Sequence, residues 1–391
     1  MNRYFISYLF LLTLPLSSDS FNDQRGMTKL LGLDTYSRCA KELSKEDVKP
    51  YELSYERTGS MPKSPFAGEY KPKFLPITPW EKSVHVFTME VLNKDVNDGN
   101  QGTQIDALGH FGYFDDTWDG KTEIDISEIK FFGEKTQDEV KPLPDSPLLK
   151  LGIESVPPIV TSAVFIDVRK HMHNGKAMKA GEYVTVDDVK ESLAKSSLKD
   201  RGILPGDVVL IYTGWSDNYE DPDISGIYYS MAPGISYNLA KYLISKKVVG
   251  VGLDTWGVDR FADPNNLRDE HIKKQNPPGI ENPAHHLFLT QEGIHTLENF
   301  NLKKLSNDSV DLSCVMILPL MVKRSKLVNN ALELKSKSNE IIDKKRINQI
   351  LKKIGINSKK LDGNPQLLKS IWMSIIQNFI DYEKKQFKKK K

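Results

Sequence analysis

Four short apolar runs constrain the fold of this chain most strongly. They span residues 158–168, 207–212, 248–253 and 310–320. Apolar runs of this length are typical of buried strands. Helices are predicted between them, at about 185–198 with Thr185 as the cap and at 236–246. Strands that alternate with helices predict an α/β or mixed layered fold.

The chain divides into two parts of opposite charge. Residues 322–391 contain 19 Lys or Arg and 6 Asp or Glu, a net charge of +13, although the whole chain carries only +2. We therefore expect a separate basic helical tail over 322–391, with apolar residues at helical spacing over 327–354 and 365–385. A nucleic-acid or membrane-binding arm is the alternative. Dispersed lysines without interleaved aromatic residues favour solvated amphipathic helices, so we expect no nucleic-acid partner.

The N-terminus has the pattern of a secretory signal peptide. A basic start is followed by the apolar run 5–16 and by small residues, which predicts cleavage near Ser20 and a secreted or extracytoplasmic protein. Residues 21–50 are polar and predict a short helix at about 36–43. No other apolar stretch is long enough to span a membrane.

The two cysteines, Cys39 and Cys314, are far apart in the sequence. They can pair in an oxidising compartment, but the sequence does not fix their geometry. Because Cys314 lies in an apolar run, we favour a buried, inert thiol.

Residues 100–110 carry the clearest chemical signal. The stretch places Asp106 after a Gly-Thr turn and four residues before His110. A carboxylate is a hard ligand for a divalent cation, and an imidazole exchanges a proton near neutral pH. The alternatives are a surface helix pair, or an Asp106 that only caps the turn.

This stretch resembles the signature of the cyclase family of metal-dependent hydrolases, which includes kynurenine formamidases and isatin hydrolases. The family pattern is His-x-Gly-Thr-His-x-Asp-x-x-x-His, of which the chain keeps Gly102, Thr103, Asp106 and His110. Three further segments, 205–215, 249–256 and 293–299, are also similar to family segments. The resemblance covers roughly residues 50 to 320.

The resemblance implies a swivelling β/β/α domain over 51–321 that hydrolyses an amide or lactam bond of a small aromatic or cyclic molecule. It also implies a divalent metal, zinc or manganese, and assembly as dimers or larger oligomers. Arylformamides from tryptophan catabolism are the best-known substrates of the family. The predicted export signal fits poorly with such an intracellular pathway.

Further ligands are implied by the same resemblance, which places a His and a Glu about a dozen residues apart at the metal. The candidates are Glu298 with either His285 or His286, and the Pro-Ala-His context favours His285. Glu298 stands among apolar residues, where an unpaired carboxylate is costly. Together with His110, Glu298 is the predicted proton carrier.

Two positions depart from the family pattern, because Asn100 and Gln104 stand where it has histidines. A neutral amide is a weaker ligand for zinc or manganese than imidazole. Three hypotheses follow. The metal set is built from Asp106, His110, His285 or His286, and Glu298; water is activated by His110 without a metal; or the chain keeps a binding pocket without catalysis. Gln also occurs at the position of Gln104 in a branch of the family.

The predicted substrate pocket contains Thr103, Trp215, Asp254 and Trp256. The two tryptophans suit an aromatic ligand, although core packing is the alternative for both. Asp254 begins a loop at a strand end, where α/β proteins place site residues. Two other functions remain open: cyclisation or dehydration of a small hydroxy acid, and a secreted binding protein with a degenerate metal site.

Overall fold

The computed structural model describes residues 24–64, 70–74, 78–79, 86–87, 90–92, 101–117, 121, 123, 125–142, 148–219, 226–261 and 276–319, and helical positions 348, 351, 352, 366, 369 and 373. The predicted signal peptide, Asn100 and nearly all of the basic tail lie outside these residues. Among the described helices, none combines the length and apolarity that crossing a membrane requires.

Strands and α-helices largely alternate from residue 159 onward, whereas the first seven strands follow one another without an α-helix between them. The strands are β1 Pro72–Phe74, β2 Thr78–Pro79, β3 Val86–Phe87, β4 Glu90–Leu92, β5 Gln104–Ile105, β6 Lys130–Phe131, β7 Lys135–Thr136, β8 Ile159–Asp167, β9 Tyr183–Val184, β10 Val208–Tyr212, β11 Gly234–Ile235, β12 Gly250–Leu253, β13 His295–Glu298 and β14 Leu312–Ile317. The α-helices are α1 Leu33–Leu43, α2 Gln137–Val140, α3 Val168–Met172, α4 Val186–Lys195, α5 Tyr237–Ser245, α6 Pro283–His285 and α7 Lys303–Asn307. A π-helical segment, His286–Glu292, continues α6.

A six-stranded sheet in the order β14-β8-β10-β12-β13-β5 forms the centre of the protein. The four inner strands are parallel, and β14 and β5 are antiparallel to their neighbours at the two edges. The four apolar runs of the sequence form β8, β10, β12 and β14, which confirms the mixed α/β fold. The swivelling arrangement stays a prediction.

Both faces of the sheet are covered, so its strands do not alternate between apolar and polar residues. Ile166 of β8 packs in one cluster with Leu239 of α5 and Phe288 of the π-helical segment. Its neighbour Phe165 faces the opposite cluster, which includes Leu305 of α7. All nine residues of β8 are buried. Parallel strands covered on both faces commonly have such near-continuous apolar runs.

Helix α4 begins as the sequence predicts. The Thr185 hydroxyl accepts a hydrogen bond from the Asp188 backbone N–H at 3.2 Å, and the Asp188 carboxylate accepts one from the Thr185 N–H at 2.8 Å. This reciprocal capping satisfies donors that have no partner within the helix.

The preference for a free thiol at Cys314 was wrong, because Cys314 forms a disulfide with Cys39. Helix α1 packs against β8 and β14, which brings the two Cα atoms to 4.5 Å. The tertiary packing of α1 therefore supplies the geometry that the sequence left open. The bond ties the N-terminal segment to the edge strand β14.

Candidate metal centre

The candidate site lies where β5 meets β13 at one edge of the central sheet. The antiparallel register places Gln104 opposite Glu298 and Ile105 opposite Leu297. The ladder continues one residue further, since the Asp106 N–H donates to the Thr296 carbonyl at 3.0 Å. Two motifs almost 200 residues apart in the chain thereby share one edge.

Asp106 is held by one contact to its carboxylate and one to its backbone carbonyl. The Thr296 hydroxyl donates to Oδ2 of Asp106 at 2.5 Å, and the ring Nδ1 of His295 lies 2.8 Å from the Asp106 carbonyl oxygen. Asp106 is only 6% exposed. These contacts fix the direction of its carboxylate toward the neighbouring imidazoles.

His285 is oriented by Asp259, in the loop after β12. The Asp259 carboxylate accepts the backbone N–H of Ala284 at 2.7 Å and that of His285 at 3.0 Å, and it lies 2.6 Å from the His285 ring Nδ1. The other ring nitrogen, Nε2, lies 3.6 Å from Asp106 Oδ2 and 3.3 Å from Glu298 Oε1. A carboxylate behind a histidine commonly orients it for metal binding.

The structure thereby distinguishes His285 from His286. His286 is half-buried, and its ring packs edge-on against Tyr113 with centroids 5.8 Å apart. Burial lowers the pKa of His286. Its neighbour His285 faces the two carboxylates, as the Pro-Ala-His context favoured.

His110 completes a cluster with Asp106 and His285, in which one ligand atom from each residue lies within 4.8 Å of the others. It lies at the end of the 3-10 turn Leu108–His110 and is exposed. Its outer side lines a cavity of 510 Å³ together with Tyr113, Phe114 and Lys141. His110 is therefore shared by the cluster and the cavity.

Gln104 and Glu298 form the other side of the site. The Gln104 amide Nε2 donates to Glu298 Oε2 at 2.7 Å and lies 3.4 Å from Asp106 Oδ1. The Val258 N–H donates to Glu298 Oε1 at 3.2 Å. Glu298, which is 4% exposed, is thus held by partners on both oxygens.

The ionisable groups of the site influence each other strongly. Burial, followed by the charge of Asp106, raises the pKa of Glu298 to about 7. Burial also opposes ionisation of Asp106, but the hydrogen bond with His285 and the charge of His110 lower its pKa. Burial disfavours the His285 cation, yet its three carboxylate neighbours raise its pKa well above the usual value. The site as a whole favours a positive charge between these carboxylates.

The predicted substrate-pocket residues fall into two groups. Thr103 and Asp254 are engaged in internal hydrogen bonds, Thr103 through its hydroxyl to the Asn299 carbonyl at 2.5 Å. Asp254 is fully buried, and Trp215 is 4% exposed with its indole N–H donating to the Tyr228 carbonyl at 3.2 Å. The structure therefore places Asp254 and Trp215 in the core, because neighbouring loops cover the strand ends that carry them.

Trp256 differs from Trp215, because it is only partly buried. Its ring stacks on Phe261 with centroids 3.9 Å apart. The following residue, Gly257, lies beside Glu298, whose Oε1 is 3.7 Å from the position that a Cβ would occupy. Trp256 does not line the cavity beside His110, so its part in a substrate pocket stays a prediction.

Two site residues were not singled out from the sequence, Asp259 and Thr296. Asp259 does stand in the loop after a predicted strand, which is a common position for site residues. Thr296 gives no such signal, since a Thr within a strand is ordinary. Only the pairing of β13 with β5 brings it to Asp106.

The donor set fits a divalent metal ion. It combines two imidazoles with a buried carboxylate, and Glu298 lies beside them. Nitrogen and carboxylate donors of this kind suit zinc and manganese. The carboxylates also supply the negative charge that a cation requires, so Asp106, His110 and His285 are the residues that would hold it.

The comparisons with known proteins identify a family for the chain. The family model described as "Putative cyclase" matches residues 44–260, more than half of the chain. A second model, "Chorismate mutase type II", matches residues 308–384. No curated protein sequence matches that of this chain.

Several solved structures are similar to the chain. A protein described as a novel cyclase has 19% identity and a TM-score of 0.59, over 75% of this chain and 88% of that one. Isatin hydrolase A from Ralstonia solanacearum has 17% identity and a TM-score of 0.42, over 68% and 84%. A predicted metal-dependent hydrolase from Bacillus stearothermophilus has 18% identity and a TM-score of 0.35, over 65% and 83%. From the family match, which covers both the Asp106 motif and the Asp259 loop, we conclude that this chain belongs to the cyclase family.

Proposed function

We propose that this protein is a metal-dependent hydrolase that cleaves an amide or lactam C–N bond of a small aromatic or cyclic molecule. The observation that carries the proposal is the convergence of Asp106, His110 and His285 within 4.8 Å. Family membership and the resemblance to isatin hydrolases and kynurenine formamidases support the reaction class. The metal we propose is zinc or manganese.

A divalent cation at these ligands would polarise the substrate carbonyl and lower the pKa of water. The protein residues then have distinct tasks. Asp259 holds the His285 ring so that Nε2 faces the centre, and Thr296 holds the Asp106 carboxylate. His110 would be the third ligand, and Glu298, whose Oε1 lies 3.3 Å from the His285 ring, is positioned to carry the proton that the leaving nitrogen requires.

The substrate is proposed to occupy the 510 Å³ cavity beside His110. Its lining includes the aromatic rings of Tyr113, Phe114 and Phe131 and the polar side chains of Gln137 and Lys141. Aromatic walls with a few polar groups suit a flat molecule with one or two hydrogen-bonding groups. A larger groove of 1360 Å³ also reaches Gln104, but His110 does not line it.

Turnover assays on the metal-loaded protein test the proposal. We expect hydrolysis of an arylformamide or of a small lactam such as isatin, and a loss of turnover by about a thousand-fold or more in His110→Ala. Product analysis separates hydrolysis from the alternative, cyclisation or dehydration of a hydroxy acid. If the wild type shows no turnover and still binds its ligand after His110→Ala, the result would instead indicate a binding protein.

The match to chorismate mutase type II suggests a second function, in the tail. The match begins at residue 308, but Leu312–Ile317 form strand β14, so the first part of the match belongs to the central sheet. We propose that residues 320–384 form a module that rearranges chorismate. The full-length protein should isomerise chorismate in the absence of added metal, and failure to do so would contradict this second function.

A further inference from the structure

Gln104 occupies a position between two carboxylates. Its amide nitrogen lies 2.7 Å from Glu298 Oε2 and 3.4 Å from Asp106 Oδ1. An amide NH₂ group has two hydrogens and can serve two acceptors at once. Gln104 thus supplies donors at a place where two buried carboxylates approach each other.

The other oxygens of these carboxylates face away from Gln104. Asp106 Oδ2 accepts from Thr296 and lies 3.6 Å from the His285 ring, while Glu298 Oε1 accepts from Val258 and lies 3.3 Å from the same ring. The pair therefore has an imidazole side and an amide side. The imidazole side holds the three-residue cluster, and the amide side is filled by Gln104.

Two buried carboxylates repel each other unless positive charge or donors lie between them. A cation on the amide side would have to displace the Gln104 NH₂ group, and no imidazole contacts the carboxylates there among the described residues. The Gln104 Oε1 atom is itself buried and has no hydrogen-bond partner in the described part of the chain. The carboxylates alone therefore set the orientation of this amide.

We propose that Gln104 takes the place of a second cation, so that the centre binds a single divalent ion, at Asp106, His110 and His285. This inference rests on the metal centre of the proposed function. Gln104 is a positioning residue in this arrangement, because its NH₂ group holds Glu298 and Asp106 without binding the ion. A chain with an imidazole at this position would offer a second set of ligands on the amide side.

Metal stoichiometry tests the inference independently of turnover. The full-length protein is loaded with Mn²⁺ or Zn²⁺, freed of unbound ion and analysed for metal per chain. We expect one ion for the wild type and two for Gln104→Glu, because a third carboxylate on the amide side needs a cation to offset the repulsion. Gln104→Met, which has nearly the same volume and no charge, should keep one ion and bind it about 10-fold more weakly.

Thermal unfolding shows whether each variant is folded. If Gln104→Glu does not fold, Gln104→His replaces it as an uncharged variant that offers a ligand at the same position. A wild type that binds two ions, or none, overturns the inference. A single ion in Gln104→Glu, bound more tightly than in the wild type or equally well, also overturns it, because removing the NH₂ group would then not open the place of a second cation. A wild type that binds one ion but hydrolyses no amide or lactam contradicts the proposed function and leaves this inference standing.

Discussion

Two buried aspartates near the strand ends of the central sheet have opposite roles. Asp254, directly after β12, accepts four hydrogen bonds: from the N–H and hydroxyl of Thr213 at 2.8 and 2.7 Å, and from those of Ser216 at 3.1 and 3.0 Å. Asp106, after β5, accepts from the Thr296 hydroxyl and faces two imidazoles. The Asp254 carboxylate has its four donors within the core, whereas the Asp106 carboxylate faces two other candidate metal ligands.

The pKa values of the two groups follow from their partners. Burial raises the pKa of Asp254, and the neutral donors of Thr213 and Ser216 only partly oppose this effect. Burial acts on Asp106 in the same direction, but the hydrogen bond with His285 and the charge of His110 lower its pKa. A buried carboxylate with neutral donors thus has a structural role. A buried carboxylate with ionisable neighbours is kept anionic, which suits it to bind a cation. The following predictions test this difference, from the largest expected effect to the smallest.

Asp106→Asn should abolish the function of the site. The amide cannot replace an anionic ligand, so we expect the bound ion to be lost and turnover to fall about a thousand-fold or more. Elemental analysis and turnover assays on the same sample measure both effects. Retention of the metal at one ion per chain would contradict the assignment of Asp106 as a ligand.

Asp254→Ala should destabilise the fold without affecting the metal. Four donors of Thr213 and Ser216 lose their acceptor in a fully buried position, so the free energy of unfolding should fall by about 3 kcal/mol. Urea denaturation measures this change. Asp217→Ala is the control, since it removes an exposed carboxylate paired with Arg169 and Lys303 and should cost about 1 kcal/mol or less. Loss of metal in Asp254→Ala would remove the distinction between the two aspartates.

Asp259→Asn should weaken metal binding without abolishing it. The amide keeps an acceptor oxygen for one backbone N–H but loses the charge beside the Nδ1 atom of His285. We expect the affinity for the ion to fall about 10- to 100-fold, as measured by titration calorimetry. An unchanged affinity would show that the backbone alone orients His285.

His286→Ala should have the smallest effect. The ring contacts Tyr113 outside the cluster, so the free energy of ion binding should change by no more than about 0.5 kcal/mol. His285→Ala, one residue earlier, is the matched comparison and should lose the ion. Equal losses in the two variants would contradict the assignment of His285 alone to the centre.

Much of the fold could be predicted from the sequence, because local composition determines these elements. The apolar runs at 158–168 and 207–212 correspond to Ile159–Asp167 and Val208–Tyr212, and the helix predicted at 236–246 is Tyr237–Ser245. Thr185 caps α4 as predicted. A buried strand needs apolar residues and a helix start needs a cap. Both requirements are met by neighbouring residues in the sequence and do not depend on long-range contacts.

Residues of the candidate site were predictable only where a motif placed them. Asp106 and His110 are four residues apart and were found together, and the sequence context favoured His285 over His286. Trp215 shows the limit, since an aromatic residue at a strand end has the same local sequence whether it lines a pocket or fills the core. Burial under a neighbouring loop is a long-range property, and no local pattern encodes it.

The sequence by itself determined the α/β class and the family, and it singled out Asp106, His110 and Glu298 as candidates, because short-range patterns are sufficient for these. The tertiary structure decided which partners those residues have. The pairing of β13 with β5 brings Glu298 and Thr296 to Gln104 and Asp106, and Asp259 comes to His285 from a third element. The Cys39–Cys314 disulfide has the same origin. Contacts across 26 to 275 positions depend on how strands and helices assemble, and this assembly is decided by the packing of the whole core.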